Sequence, residues 1–208
     1  MIAAAFRAPL IAATVSRLLV DLNRSPTHRA VFSPLTRAAP AAVRAAIVAA
    51  YYLPHRRRVE RFVARAAARG HRVIHVGAHS FTPVRNGIRR RADVGLLYDP
   101  RRRAEANLCA RWKAALTALD PRLTVRRNYP YAGKGDGLTA HLRATYGNAV
   151  YVGIELEINQ RFVRGAATRR KALLAALIAS LRATLAAGAA DAMRGTSAPA
   201  VARRRTVS

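Results

Sequence analysis

In the stretch Tyr151-Val-Gly-Ile-Glu-Leu-Glu-Ile-Asn-Gln160, apolar Val152, Ile154, Leu156 and Ile158 alternate with Gly153, Glu155, Glu157 and Asn159. A period of two is the period of a β-strand, so one face is apolar and the other carries both carboxylates. Few arrangements accept such a strand. At a sheet edge its polar face meets water. In a sheet covered on both sides, the carboxylates need a metal, a proton-transfer role or arginine partners, because burying an unpaired charge is costly. With 37 basic residues in the chain, ion pairing competes directly with a catalytic reading.

The remaining patterns supply the covering layers. Arg72-Val-Ile-His-Val-Gly-Ala-His79 is a second strand, with Ile74, Val76 and Ala78 on one face and Val73, His75, Gly77 and His79 on the other. Shorter strands are predicted over 93–98 and 123–127, and Pro9 to Val15 reads as a short buried strand. Helices are predicted over 41–52, ended by Pro54, and then from Val59, Phe62, Val63 and Ala66 to a Gly70 cap. Further helices are expected over 101–119 and 138–146, and one with Leu174, Leu177, Ile178, Leu181 and Leu185 on a single face. Strands separated by helices give an α/β fold, its sheet mostly parallel or mixed and flanked by helices on both faces. One domain over 1–187 accounts for the pattern, with 188–208 expected as a disordered basic tail.

Composition narrows the function classes. A lone Cys109 excludes a disulfide framework and any multi-cysteine metal site within the chain. The apolar run near the N-terminus is interrupted by Arg7, Pro9 and Arg17, and no segment is expected to approach membrane length; the reading is cytoplasmic, with no membrane partner. The formal charge of +27 points to polyanions. However, all but three basic residues are Arg, the triplets are scattered, and only 13 residues are aromatic. Nucleic-acid surfaces interleave cations with stacking rings, so compositional bias explains the charge better than recognition does.

Two more places put polar groups near strand ends, where open α/β sheets bind ligands. His79 closes a strand and is followed by Ser80, Thr82 and Pro83; it is either a structural histidine or a metal ligand, while His75 reads as a core residue. Asp21-Leu-Asn-Arg-Ser25 is either a turn cap with a surface arginine or a carboxylate clamp, with Arg17 one helical turn earlier as a further contact.

Five stretches occur in one order: Ser16-Arg-Leu-Leu-Val-Asp-Leu-Asn-Arg-Ser25, His75-Val-Gly-Ala-His-Ser-Phe-Thr-Pro83, Gly95-Leu-Leu-Tyr-Asp-Pro100, Asn128-Tyr-Pro-Tyr-Ala-Gly133 and Gly153-Ile-Glu-Leu-Glu-Ile-Asn-Gln160. Together they resemble the N-formylglutamate amidohydrolase family, which has a zinc-carboxypeptidase-like fold. The resemblance implies metal-dependent hydrolysis of a small anionic N-acyl amino acid, with zinc as cofactor and His79 as a zinc ligand. It implies Glu157 as general base, with Glu155 the runner-up, and Asn23 and Arg24, helped by Arg17, as the carboxylate clamp. Tyr129 or Tyr131 would line the pocket, with Tyr131 expected as the substrate contact. Family members also carry a His- and Glu-bearing first strand that supplies the other metal ligands, and residues 1–16 hold no counterpart. The expectation is therefore a family domain lacking its first strand, through an upstream start or decay to an inactive homologue, with weak activity at most.

Overall fold

A computed structural model describes residues 2–195. The helices are α1 (Ile2–Ala5), α2 (Pro34–Arg37), α3 (Ala41–Ile47), α4 (Leu53–Ala68), α5 (Arg103–Leu119), α6 (Leu138–Thr145), α7 (Gln160–Val163) and α8 (Ala167–Gly195). The strands are β1 (Val73–Phe81), β2 (Val84–Arg85), β3 (Ile88–Arg89), β4 (Val94–Leu97), β5 (Val125–Arg127) and β6 (Tyr151–Asn159). The main sheet runs β1-β6-β4-β5, with β2 and β3 forming a separate hairpin. β1 is parallel to β6 and β4 to β5, whereas β4 and β6 are antiparallel, so the sheet is mixed.

Each face of β6 meets a different layer. Val152, Ile154 and Leu156 join Val94 and Leu96 and pack against Leu108, Cys109, Trp112 and Leu116 of α5 and Leu173, Leu177 and Leu181 of α8. Full burial of an aliphatic side chain contributes about 1.5–3 kcal/mol, and this cluster holds more buried side chains than the other two. Trp112 buries its ring there and donates its indole N–H to Ser180 Oγ at 3.0 Å, so no polar atom of the ring is stranded. The opposite face is covered by Val59 and Val63 of α4 and Leu138 and Leu142 of α6, which enclose Tyr151. Val20, Leu22, Val31 and Tyr52 form a third cluster that anchors the N-terminal segment.

A buried ion network ties these layers together. Glu105, on α5, is 0% exposed. It accepts from Arg143 Nε at 2.9 Å, from Gly153 N at 3.1 Å and from Asp99 N at 3.0 Å, with Arg102 Nε 3.2 Å away. Four partners compensate a charge that would otherwise be prohibitive at that depth.

Several local expectations are corrected. Residues 9–15 form no strand. Pro9 has no donor for a ladder, Leu10 is 66% exposed, and only Ile11 and Val15 rest against apolar clusters. Pro54 does not end the helix. A π-helical turn, Val48–Tyr52, precedes it and links α3 to α4 in one continuous run. The widened turn relieves the clash of the proline ring with the preceding carbonyl, and Leu53 N bonds back to Val48 O. The buried face of α8 is rotated from the expected one and consists of Leu173, Leu177, Ser180, Leu181 and Thr184. α8 also continues to Gly195, past the expected tail start at 188, because alanine-rich sequence favours helix and Gly188 lies against the Arg111 guanidinium; residues 196–208 fall outside the described residues. By length and composition alone this helix could cross a membrane, which corrects the expectation that no segment approaches that length; its leucine face is buried against α5.

Candidate active site

Parallel pairing in register brings the two polar strand faces side by side. His75 sits opposite Gly153, Gly77 opposite Glu155, and His79 opposite Glu157. Paired residues of neighbouring strands project from the same face, so His79, Glu155 and Glu157 cluster near the carboxyl ends of β1 and β6. β4 completes the row with Gly95 opposite Glu157. Gly95 is required by close approach: a Cβ there would lie 2.0 Å from the Tyr129 carbonyl oxygen. The 128–133 loop therefore lies directly against the sheet beside the cluster. Asn128, at φ 49°, holds that loop by accepting from Tyr98 N and Gly133 N at 3.0 and 3.1 Å.

The two carboxylates have different surroundings. Glu155 accepts from Asn23 Nδ2 at 3.3 Å and from Thr139 Oγ1 at 3.1 Å, and so bridges the N-terminal segment and α6. Glu157 is 6% exposed, and its Oε2 has no hydrogen-bond partner. Burial and the neighbouring Glu155 push the Glu157 carboxyl up to about 7, against the pull of the Arg17 and Arg90 guanidinia. Burial lowers the His79 imidazole, with Glu155 opposing, which favours a neutral ring. Deeper along β1, His75 Nδ1 shares a 2.7 Å hydrogen bond with Tyr151 Oη, and burial followed by His79 lowers His75 to about 4. His75 is thus a satisfied interior histidine.

The Asp21–Ser25 stretch folds as a turn. Asp21 is buried, accepts from Asn23 N at 3.1 Å and pairs with Arg17 at 2.6 Å, while Arg24 Nε lies 3.9 Å away. Asn23 also accepts from Leu138 N at 2.9 Å, so its amide is engaged on both sides. Arg24 donates to the Asp136 carbonyl at 3.1 Å and remains partly exposed. The turn thus has a structural job for Asp21 and Asn23, and it leaves the cationic heads of Arg17 and Arg24 at the surface. Tyr131 is 40% exposed, and its Oη accepts from Arg85 Nη1 at 3.4 Å and Arg90 Nη1 at 3.2 Å. Asn159 caps α7 by accepting from Arg161 N at 3.1 Å and donates to Ala92 O at 2.9 Å, so its place in the motif is architectural.

Arg85 and Arg90 were not among the sequence candidates. Their signal was Asn86-Gly87, whose positive φ values of 50° and 75° make the turn of the β2–β3 hairpin. Asn-Gly between short apolar-containing runs is the strongest local hairpin signature, because both central positions need left-handed backbone. Glu105, Arg102 and Arg143 were also missed; Arg102 and Glu105 stand three residues apart at the start of α5, but no sequence spacing connects them to Arg143 on α6.

A catalytic zinc takes three protein ligands and leaves a fourth position open. Among the described residues no group of three His, Cys, Asp or Glu side chains is placed to hold a metal ion. Glu155 is bound to Asn23 and Thr139, which leaves His79 and the free oxygen of Glu157 as donors. These residues do not by themselves fit a three-ligand zinc site.

The sheet is of the mixed α/β class, with a histidine and a buried carboxyl brought together at adjoining strand ends. The model of the N-formylglutamate amidohydrolase family matches residues 1–164, and the chain belongs to that family. Among solved structures, a gene product of Agrobacterium tumefaciens is similar with a TM-score of 0.73 and 28% identity, over 89% of this chain and 74% of that one. An N-formylglutamate amidohydrolase from Ralstonia eutropha JMP134 is similar with a TM-score of 0.52 and 20% identity, over 69% of this chain and 53% of that one, and supports the fold. No curated protein gives a significant match.

Proposed function

We propose that this protein is an amide hydrolase acting on a small anionic N-acyl amino acid such as N-formylglutamate. The observation that carries the reading is Glu157: a buried carboxyl with an unpartnered oxygen, beside His79 and at the carboxyl end of the sheet. A group with an affinity for protons near neutrality both accepts and returns a proton at working pH. In the proposed reaction Glu157 takes a proton from the attacking water as its oxygen bonds to the acyl carbon. The same proton passes to the amide nitrogen as the C–N bond breaks, giving a carboxylate and a free amino acid. Glu155 is held by two donors and serves to position the site, so Glu157 is assigned as the base. Arg17 and Arg24 offer guanidinium heads to a substrate carboxylate, and anchoring by a remote charge orients the scissile bond. Zinc, implied by family resemblance, would need donors beyond His79 and Glu157, and no step here passes through it.

The test is release of formate from N-formyl-L-glutamate by the full chain, with and without added Zn²⁺. Activity that disappears in Glu157→Gln but persists in a fold-preserving surface variant such as Arg122→Gln supports the assignment. Full activity in Glu157→Gln refutes Glu157 as the base. No formate under either metal condition refutes the hydrolase reading for this chain.

A further inference from the structure

The β2–β3 hairpin presents two guanidinia to one phenol. Arg85 and Arg90 both donate to Tyr131 Oη, and both also lie over the Tyr131 ring, at 5.9 and 5.1 Å from its centroid. No carboxylate among the described residues pairs with either arginine, whereas other arginines, Arg17, Arg101, Arg102, Arg143 and Arg161 among them, do have carboxylate partners. Two like charges held around one neutral oxygen repel each other, and an anion is what relieves them. Because both arginines donate to Tyr131, its own O–H stays available as a further donor. The result is a cluster of donors whose shared acceptor is a neutral phenol oxygen and not an anion.

Its location ties it to the site. The Arg90 guanidinium lies over the ring of Phe81, 5.9 Å from the centroid, and Phe81 ends β1 two residues after His79. The Arg90 carbonyl accepts from Asn159 Nδ2 at 3.4 Å, and Asn159 ends β6 two residues after Glu157. The cluster therefore stands just beyond the carboxyl ends of the two strands that carry His79 and Glu157. Arg17 and Arg24 flank the site from the N-terminal segment instead, around Asp21.

We infer that Arg85, Arg90 and Tyr131 form a carboxylate-binding subsite, separate from Arg17 and Arg24, that receives a second carboxylate of the substrate. The choice of ligand rests on the amidohydrolase reading; the subsite itself rests on the geometry. A planar carboxylate matches the guanidinium fork, and the phenol O–H fills a remaining lone pair. A side chain carrying an amide in place of the carboxylate would leave the two cations unrelieved.

The probe is glutarate, a dicarboxylate with no bond to hydrolyse, compared with its half-amide, glutaramate. Titration calorimetry on the full native chain should show glutarate binding about ten- to a hundredfold more tightly, the range expected for hydrogen bonds to a charged group. The double variant Arg85→Gln/Arg90→Gln should bind both ligands alike, and Tyr131→Phe should reduce the preference without abolishing it. Circular dichroism of the variants should match the native chain, since these side chains lie on an exposed hairpin and loop. An undiminished preference for glutarate in the double variant overturns the subsite, as does the absence of any preference in the native chain. Because binding is measured without turnover, failure of hydrolysis with an intact Arg-dependent preference refutes only the amidohydrolase reading. Hydrolysis with no such preference refutes only the subsite.

Discussion

Replacing Glu157 with Gln should stabilise the metal-free protein at alkaline pH while removing its proposed activity. In the folded chain burial and Glu155 raise the Glu157 carboxyl from its ordinary 4.5 to about 7. Between those two values the native state holds a proton that the unfolded state has released. Stability therefore falls as pH rises through this window and levels off above it. At 1.36 kcal/mol per unit, the penalty at pH 8 reaches an upper figure of about 3 kcal/mol for the Glu155–Glu157 pair. Glutamine keeps the shape and loses the charge, so the variant escapes this penalty. Urea unfolding of both proteins in a chelator, from pH 5 to 8.5, reads the effect of Glu157 together with its coupled neighbour Glu155, because titrating groups remote from the pair are shared and cancel in the difference. The stability difference between Glu157→Gln and native should be small near pH 5 and grow towards pH 8. A difference that is flat with pH, or that favours the native chain more at high pH, would refute the account of Glu157 as a buried carboxyl held against its charged form.

Other consequences are open to direct measurement. Glu105→Ala leaves Arg143 and Arg102 without their buried partner and should cost about 3–5 kcal/mol in chemical unfolding; a loss under 1 kcal/mol would show the network to be marginal. Gly95→Ala should cost about 1–3 kcal/mol by forcing the new methyl against the Tyr129 carbonyl, and it should perturb the Tyr131 ring resonances. A wild-type-like variant at that position would mean the loop yields easily. For His75, lowered to about 4, the native state binds fewer protons than the unfolded chain between 4 and 6.5, so its contribution is lost as pH falls through that range. Its ring resonances should stay at neutral-form shifts at pH 6, and a midpoint near 6.5 would contradict the buried hydrogen bond to Tyr151.

Legibility followed sequence proximity. Both long strands, and the helix on which Trp112 and Leu116 are buried, could be read from periodicity because the period is a local property of the chain. The pairing of His79 with Glu157 required parallel register between segments far apart in sequence, which five ordered motifs could only suggest. Pro54 misled because a proline's effect depends on whether the preceding turn can widen, and the Val48–Tyr52 turn does. The α8 face was misread by one residue because Ser180 and Thr184 are buried with their hydroxyls bonded to Trp112 and to the Ser180 carbonyl. Polarity is a poor marker of exposure when a partner is waiting. Asn23 was read as a substrate donor, while the fold uses its amide to join Glu155 to the backbone of α6. Arg85 and Arg90 escaped notice among so many arginines, since only their convergence on Tyr131 distinguishes them.

Glu155 shows how a mutational survey of this protein could mislead. One of its oxygens fastens both Asn23 and Thr139, and Asn23 in turn fastens the start of α6. The carboxylate acts as a rivet through the wall of the site. Removing it would let the N-terminal turn drift with Arg17 and Arg24 still attached, and turnover would fall as surely as if a proton carrier had been lost. Loss of activity at Glu155 and at Glu157 would look identical in an assay plate. The two are separated by stability, because removing the rivet loosens the molecule whereas removing the charge at Glu157 tightens it.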